Sequence, residues 1–138
     1  MIGDTRRILV IDDDPELQQL VRIMLTRVGY DVITVESVAK GVRALATPPL
    51  PDLVLLDLML PDKSGMDFLR EVRARPSFDA MPIIVLSALV DPNQIREALA
   101  AGADRYLTKP YIANNLVSYV QEILRTGRRQ DGVGGASR

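Results

Sequence analysis

The apolar residues of the chain cluster in five short runs, each followed by a polar turn. The runs span residues 8–11, 31–35, 53–56, 83–86 and 106–107. Most of them are apolar throughout instead of alternating between apolar and polar positions. Such runs are typical of strands buried on both faces, as in a parallel sheet that helices cover on each side. The pattern therefore predicts five parallel strands.

Helical periodicity occupies the segments between the runs. After the first run, apolar residues recur at the spacing of one helix face, and they are Leu17, Leu20, Val21, Met24, Leu25 and Val28. Good N-cap residues begin the first four helices, and these are Asp14 before Pro15, Ser37, Ser64 in a capping box with Asp67, and Asp91 before Pro92. Gly29 and Gly102 are predicted helix ends. A fifth helix is predicted over about residues 113–125.

The strand–helix alternation repeats five times, which predicts a doubly wound α/β domain. The natural arrangement is flavodoxin-like, a (βα)5 domain with a parallel sheet in the strand order 2-1-3-4-5. Right-handed crossovers then place the C-terminal ends of all strands at one edge of the sheet. We predict this domain over residues 1–125. Residues 126–138 lack apolar periodicity and are predicted to be a flexible tail or the start of a linker, with Arg128 and Arg129 in solvent.

Composition narrows the chemistry that such a domain can perform. The 138 residues carry a net charge of −1 and contain neither cysteine nor histidine. Thiol chemistry, a histidine base and the usual zinc sites are thereby excluded, and any metal must prefer oxygen ligands. The balanced charge gives no reason to expect direct nucleic-acid binding. No apolar run approaches the ~18 residues of a membrane span, so a cytoplasmic protein is predicted.

Polar side chains follow four of the five strands. Asp12 and Asp13 follow the first, Asp57 the third, Ser87 the fourth and Lys109 the fifth. In a parallel α/β sheet these positions form the ligand-binding edge. Crowded carboxylates repel each other unless a cation compensates them, and oxygen ligands suit Mg²⁺. The sequence therefore predicts a magnesium site beside a lysine and a hydroxyl.

Phosphoryl transfer fits this set of groups. It needs a nucleophile, a metal on the equatorial oxygens and a further cationic contact. The Asp57 carboxylate is the predicted nucleophile, and it would form an aspartyl-phosphate. The metal would be held by Asp13 and Asp57, supported by Asp12 through water, with the backbone carbonyl of Met59 as a further candidate ligand.

Four stretches of the chain resemble the response-regulator receiver family: ILVIDDDPEL, LVLLDLMLPDKSG, PIIVLSA and AGADRYLTKP. The resemblance covers about residues 6–125. It implies an acidic pair at Asp12 and Asp13, a phosphoacceptor at Asp57, a switch hydroxyl at Ser87, a lysine at Lys109 and an aromatic switch residue at Tyr106. It also implies that the Lys109–Pro110 bond is often cis. Such domains take phosphate from a histidine kinase or a phosphotransfer protein.

A receiver is not a conventional enzyme, although it would catalyse its own phosphorylation and slow dephosphorylation at Asp57. Met59 and Leu89, two residues beyond Asp57 and Ser87, are both apolar. They are expected to flank the path of an attacking water, which predicts a shielded and fairly long-lived phosphoryl group.

Two alternatives remain open from the sequence. An aspartate-dependent phosphatase similar to the haloacid dehalogenase group would use Asp12 and Asp14 as its paired aspartates. A binding module that needs no phosphate is the second. The output of a receiver would pass through the surface of the fourth helix, fifth strand and fifth helix to an effector or a second copy. Whether the chain is free-standing or part of a longer protein is not encoded here.

Overall fold

The fold is described by a computed structural model covering residues 5–88, 90–109 and 112–129. Strands and helices alternate along these residues. The strands are β1 (Arg7–Ile11), β2 (Asp31–Val35), β3 (Leu53–Asp57), β4 (Ile83–Ser87) and β5 (Arg105–Thr108). The helices are α1 (Pro15–Arg27), α2 (Val38–Ala46), α3 (Gly65–Arg73), α4 (Pro92–Ala100) and α5 (Ile112–Thr126), with a 3₁₀ turn at Pro76–Phe78.

All five strands lie parallel in one sheet, in the order β2-β1-β3-β4-β5. The predicted flavodoxin-like topology is therefore confirmed. The register pairs Asp57 with Leu86 and Ser87 with Thr108. The ends of β3, β4 and β5 are thus level with one another, and the residues that follow them share one edge of the sheet.

Alternate residues of the strands enter two separate cores because a parallel sheet is buried on both faces. Leu9, Ile11, Val54 and Leu56 belong to the core that contains residues of α2, α3 and α4. Ile8, Val10, Leu53 and Leu55 belong to the core that contains residues of α1 and α5. All eight side chains are fully buried. The sheet is therefore a rigid support for the residues at its edge.

The predicted caps are present at the helix N-termini. The carboxylate of Asp14 accepts from the backbone N–H of Glu16 at 3.0 Å, and Ser37 and Asp91 cap α2 and α4. At α3 the capping-box prediction is wrong in detail. The hydroxyl of Ser64 accepts from the N–H of Met66 at 3.1 Å, while the Asp67 carboxylate faces Arg70.

The predicted apolar face of α1 is only partly buried. Leu17, Val21 and Leu25 lie in the core, but Leu20 and Val28 are exposed. One helix covering the edge of a sheet buries a narrow stripe, so the outermost residues of the apolar face remain in solvent. Among the described residues, no helix has the length and apolar character needed to cross a bilayer.

The chain beyond α5 differs from the sequence prediction. Arg128 and Arg129 are half-buried and hydrogen-bonded, so their assignment to solvent is wrong. The rest of the predicted tail, residues 130–138, lies outside the described part of the chain, and its flexibility stays a prediction. Leu89 and the Lys109–Pro110 bond also fall outside the described residues.

Candidate functional site

Three carboxylates meet at the C-terminal edge of the sheet. Asp12 directly follows β1 and is fully buried, and Asp57 ends β3 with 3% of its surface exposed. Asp13 is exposed beside them. One oxygen from each of the three carboxylates lies within 4.8 Å of the others. Residues separated by more than forty positions thus form one compact acidic cluster.

Backbone hydrogen bonds fix the position of Asp12. Its N–H donates to the carbonyl of Val35 at 3.0 Å, which continues the pairing of β1 with β2 for one more residue. Its Oδ1 accepts from the N–H of Asp14 at 2.9 Å, just before α1 begins. The side-chain amide of Gln18 donates to the carbonyls of Asp12 and Val35. The carboxylate is therefore held at the edge before any ligand binds.

Lys109 supplies the positive charge of the site. Its Nζ lies 3.2 Å from Oδ2 of Asp12 and 3.2 Å from Oδ2 of Asp57. Burial lowers the pKa of Lys109, but the negative charges of Asp12 and Asp57 outweigh this effect, so its pKa is raised overall. The lysine is therefore protonated at neutral pH and bridges the two buried carboxylates.

The pKa of Asp12 is raised as well, but for a carboxylate this disfavours the charged form. Burial raises its pKa above the usual value, and the charge of Asp57 raises it further, while the N–H of Asp14 and the charge of Lys109 act the other way. Its Oδ2 is buried and accepts no hydrogen bond, although it forms an ion pair with Nζ of Lys109 at 3.2 Å. A buried carboxylate oxygen without a hydrogen bond is costly unless a cation completes its environment.

The cluster fits a hard divalent cation. It presents three carboxylates within coordinating distance of one another, and one of them has a buried oxygen that lacks a hydrogen-bond donor. Mg²⁺ and Ca²⁺ take oxygen ligands of this kind, whereas softer metals prefer nitrogen and sulfur. The acidic cluster is therefore a candidate metal site.

The loop between β3 and α3 contacts Asp57 through its backbone. The N–H of Met59 donates to Oδ1 of Asp57 at 3.1 Å, and the N–H of Gly65 donates to the carbonyl of Leu58 at 3.0 Å. A Cβ atom on Gly65 would lie 2.4 Å from the carbonyl oxygen of Asp57, so only glycine permits this approach. The side chain of Met59 is 60% exposed beside the site.

Comparison with protein families assigns the chain to one family. The family model for the response regulator receiver domain matches residues 8–121. The chain belongs to the response regulator receiver family.

Curated relatives and solved structures agree with this assignment. The chain is 44% identical to the transcriptional regulatory protein KdpE of Mycobacterium tuberculosis over 118 residues, which are 86% of this chain and 50% of KdpE. It is 40% identical to the DNA-binding dual master transcriptional regulator RpaA of Synechocystis over 119 residues, 86% of this chain and 49% of RpaA. The chain thus spans about half the length of the curated relatives it matches.

The BeF3-activated N-terminal receiver domain of Klebsiella pneumoniae RstA superposes with a TM-score of 0.80 at 31% identity. That match covers 87% of this chain and 99% of the RstA chain. A receiver fold therefore accounts for nearly all of the described residues.

The two predicted switch residues of this receiver lie on neighbouring strands. Ser87 ends β4 and is fully buried, one position beyond the residue paired with Asp57. Tyr106 lies in β5, half-buried, and packs against the core on the α4 side of the sheet. Their roles in switching remain predictions.

Sequence reasoning missed one residue of the β3–α3 loop. The carboxylate of Asp62 accepts from the backbone N–H groups of Val38 and Ala39, each at 3.0 Å, at the start of α2. These two bonds lower the pKa of Asp62. The sequence signal is an acidic residue inside a Pro-Asp-Lys-Ser-Gly turn, which by itself indicates only a solvated turn.

Proposed function

We propose that this receiver is a phosphorylation-dependent signalling switch that accepts a phosphoryl group on Asp57 with the help of Mg²⁺. The observation that carries the proposal is the position of Lys109, whose Nζ bridges Asp57 and Asp12 beside the acidic cluster. A nucleophilic carboxylate, a cation site and a lysine are the groups that phosphoryl transfer to an aspartate requires.

Asp12, Asp13 and Asp57 would hold the metal, with the backbone carbonyl of Met59 as the further candidate ligand. When bound, Mg²⁺ neutralises the carboxylates and the phosphoryl oxygens, so that the anionic reactants can approach each other. The buried Oδ2 of Asp12, which accepts no hydrogen bond and contacts Lys109 only as an ion pair, supports this ligand set.

In the proposed reaction an oxygen of the Asp57 carboxylate attacks the phosphorus of the donor. A P–O bond forms to Asp57 while the bond from phosphorus to the leaving group breaks. The leaving group is an imidazole nitrogen of a phosphohistidine, or acetate when acetyl phosphate is the donor, and it keeps the electron pair. Lys109 contacts a phosphoryl oxygen and stabilises the charge on the transferred group.

The switch follows from the new charge on Asp57. Ser87 would move toward one phosphoryl oxygen, and Tyr106 would turn into the space that it leaves. The surface formed by α4, β5 and α5 is then remodelled, and an effector or a second copy binds one state in preference to the other. A histidine kinase or phosphotransfer protein is the proposed phosphodonor, and the cytoplasm the proposed location.

RpaA, which is named as a DNA-binding regulator, is about twice as long as the matched region. We therefore propose that nucleic-acid contact, if the full protein makes any, lies outside this receiver. The phosphatase alternative is disfavoured, because Asp14, the second aspartate of its motif, caps α1 through its Oδ1.

Intact mass spectrometry after incubation with acetyl phosphate tests the proposal. We expect one phosphoryl group per chain with Mg²⁺ and none after chelation with EDTA. Asp13→Asn should lower the Mg²⁺ affinity of the protein, and Asp67→Asn, an exposed change in α3, should leave it unaltered. Metal-independent labelling, or multiple turnover of phosphomonoesters, would contradict the proposal.

A further inference from the structure

A buried carboxylate lies at the opposite edge of the sheet from the acidic cluster. Asp104 precedes β5, and its side chain is fully buried. Its Oδ2 accepts from Nη2 of Arg73 at 3.0 Å and from the N–H of Ile83 at 2.9 Å. Its Oδ1 accepts from Nε of Arg128 at 2.8 Å and from the N–H of Arg129 at 3.2 Å. One carboxylate thus joins β4, α3 and the chain beyond α5.

The chain beyond α5 reaches Asp104 through a turn at Gly127. The φ angle of Gly127 is +81°, a conformation that favours glycine, and its N–H donates to the carbonyl of Ile123 at 2.8 Å. The turn directs Arg128 and Arg129 back onto the domain. Residues 127–129 are called the docked segment below.

The docked segment also covers the C-terminal end of α4. Arg128 donates through Nη2 to the carbonyl of Gly102 at 3.0 Å, and Arg129 donates through Nε to the carbonyl of Ala103 at 2.9 Å and through Nη2 to that of Leu99. Leu99 lies in the last turn of α4, where the carbonyls carry partial negative charge, and Gly102 and Ala103 directly follow the helix, so guanidinium groups bind favourably here. The position of α4 and the position of the docked segment are therefore coupled by contact.

The same strands connect this contact to the phosphorylation site. β4 begins beside Asp104 at Ile83 and ends at Ser87, and β5 begins after Asp104 and leads to Lys109. Lys109 in turn contacts Asp57. A shift of α4 relative to β5 on phosphorylation would displace the carbonyl of Leu99, in the last turn of α4, relative to Asp104, so that the docked segment could not keep both contacts.

Release of the docked segment would not leave Asp104 unpaired. Arg73 and the N–H of Ile83 would still bind its carboxylate, so the large penalty for an uncompensated buried charge does not arise. Burial lowers the pKa of Arg73 to about 10, and the charge of Arg128 contributes to this shift. The two arginines thus repel each other across Asp104, which reduces the net stability of docking.

We propose that Asp104 is a docking site for the segment after α5, and that phosphorylation of Asp57 releases this segment from the end of α4. The inference rests on the proposed function, because the released state requires a modified Asp57. The described contacts, in which Lys109 is bound to the Asp57 carboxylate, belong to the unmodified state. Release of the segment would thus transmit the phosphorylation state of Asp57 to the residues that follow Arg129.

Hydrogen exchange of the full chain tests this inference, with beryllofluoride and Mg²⁺ as the phosphoryl mimic on Asp57. The probe is the amide of Arg129, whose N–H binds Asp104. We expect its exchange to accelerate on the order of tenfold when beryllofluoride binds, as local opening of the segment becomes easier.

Coupling is reciprocal, so a variant that undocks the segment must also bind beryllofluoride more tightly. We expect Arg128→Ala and Arg129→Ala each to raise the beryllofluoride affinity by about fivefold, the lower end of typical coupling. Arg125→Ala, which removes an exposed arginine from the last turn of α5, is the matched control and should leave the affinity unchanged.

The possible failures are distinguishable. If wild-type protein binds beryllofluoride but the Arg129 amide exchanges at the same rate, or if neither arginine variant changes the affinity, the docking inference is overturned while the proposed function survives. If wild-type protein does not bind beryllofluoride at all in the presence of Mg²⁺, both are overturned.

Discussion

The Nζ of Lys109 lies 3.2 Å from Oδ2 of Asp57, although the two residues are 52 positions apart in the chain. The parallel sheet creates this contact, because β3 and β5 end at the same edge with β4 between them. The same ammonium group reaches Asp12. The lysine thus occupies the place where the charge of a group transferred to Asp57 would need compensation.

Replacing Lys109 by methionine should separate metal binding from phosphoryl transfer. We expect phosphorylation by acetyl phosphate to slow by about 100-fold, the usual effect of removing one preorganised donor to a developing anion. Mg²⁺ affinity should stay equal or rise, because a positive charge has left the acidic cluster. Lys40→Met, at an exposed position of α2, is the control. An unchanged labelling rate in Lys109→Met would contradict the role given to Lys109.

Met59 is expected to control the lifetime of the phosphoryl group. Its side chain is 60% exposed next to Asp57, where an apolar group cannot orient an attacking water. Met59→Asn should accelerate dephosphorylation on the order of tenfold. This is less than the rate gain from a well-positioned general acid or base, because the amide only orients the water. Met59→Leu should leave the rate near that of the wild type. The hydrolysis rate is measured as loss of the phosphoryl label over time. Equal rates for all three proteins would refute this expectation.

Gly65 supports the backbone of the phosphorylation site. A Cβ atom there would lie 2.4 Å from the Asp57 carbonyl oxygen and 2.6 Å from the Leu58 Cα, both backbone atoms. Gly65→Ala should therefore lower the free energy of unfolding by about 1–3 kcal/mol and slow phosphorylation. At Gly41 the nearest atom is the flexible end of Ile11, so Gly41→Ala should cost less. Urea denaturation measures both changes, and a larger loss at Gly41 would show that the backbone around Gly65 yields to a methyl group.

The fold could be predicted from the sequence because its strands and helices obey different periodicities. The continuous apolar runs predict a sheet buried on both faces, and the topology that follows from five βα units is the one observed. The exposure of Leu20 and Val28 could not be predicted. Periodicity shows which face of a helix is apolar, but it does not show how much of that face the neighbouring elements bury.

The convergence of Asp12, Asp13, Asp57 and Lys109 also followed from topology, since each lies at or just after the end of a strand. Asp104 and its arginines were missed for the opposite reason. Arg73, Arg128 and Asp104 lie in three distant segments, each of which is ordinary by itself, and arginines in a glycine-containing tail normally indicate solvent. Only the packed structure shows that they share one buried carboxylate.

Asp62 should make the stability of the domain depend on pH. Its hydrogen bonds to the N–H groups of Val38 and Ala39 lower its pKa in the folded state below the unfolded value of about 3.9. A lowered carboxylate pKa stabilises the fold above the unfolded pKa, and this contribution is lost as pH falls through the folded pKa.

The difference in unfolding free energy between the wild type and Asp62→Asn should therefore be constant near neutral pH and shrink below about pH 4. Denaturant titrations at several pH values measure it. Asp67→Asn is the control, since the Asp67 carboxylate faces the side chain of Arg70. A difference that grows on acidification would show that Asp62 does not bind the α2 N-terminus as a carboxylate.

The central claim is that Asp57 is the residue that accepts the phosphoryl group. The most direct measurement is the intact mass of wild-type and Asp57→Ala protein after incubation with acetyl phosphate and Mg²⁺. We predict that the wild type gains one phosphoryl group and that Asp57→Ala gains none while remaining folded. Undiminished labelling of Asp57→Ala would contradict the claim.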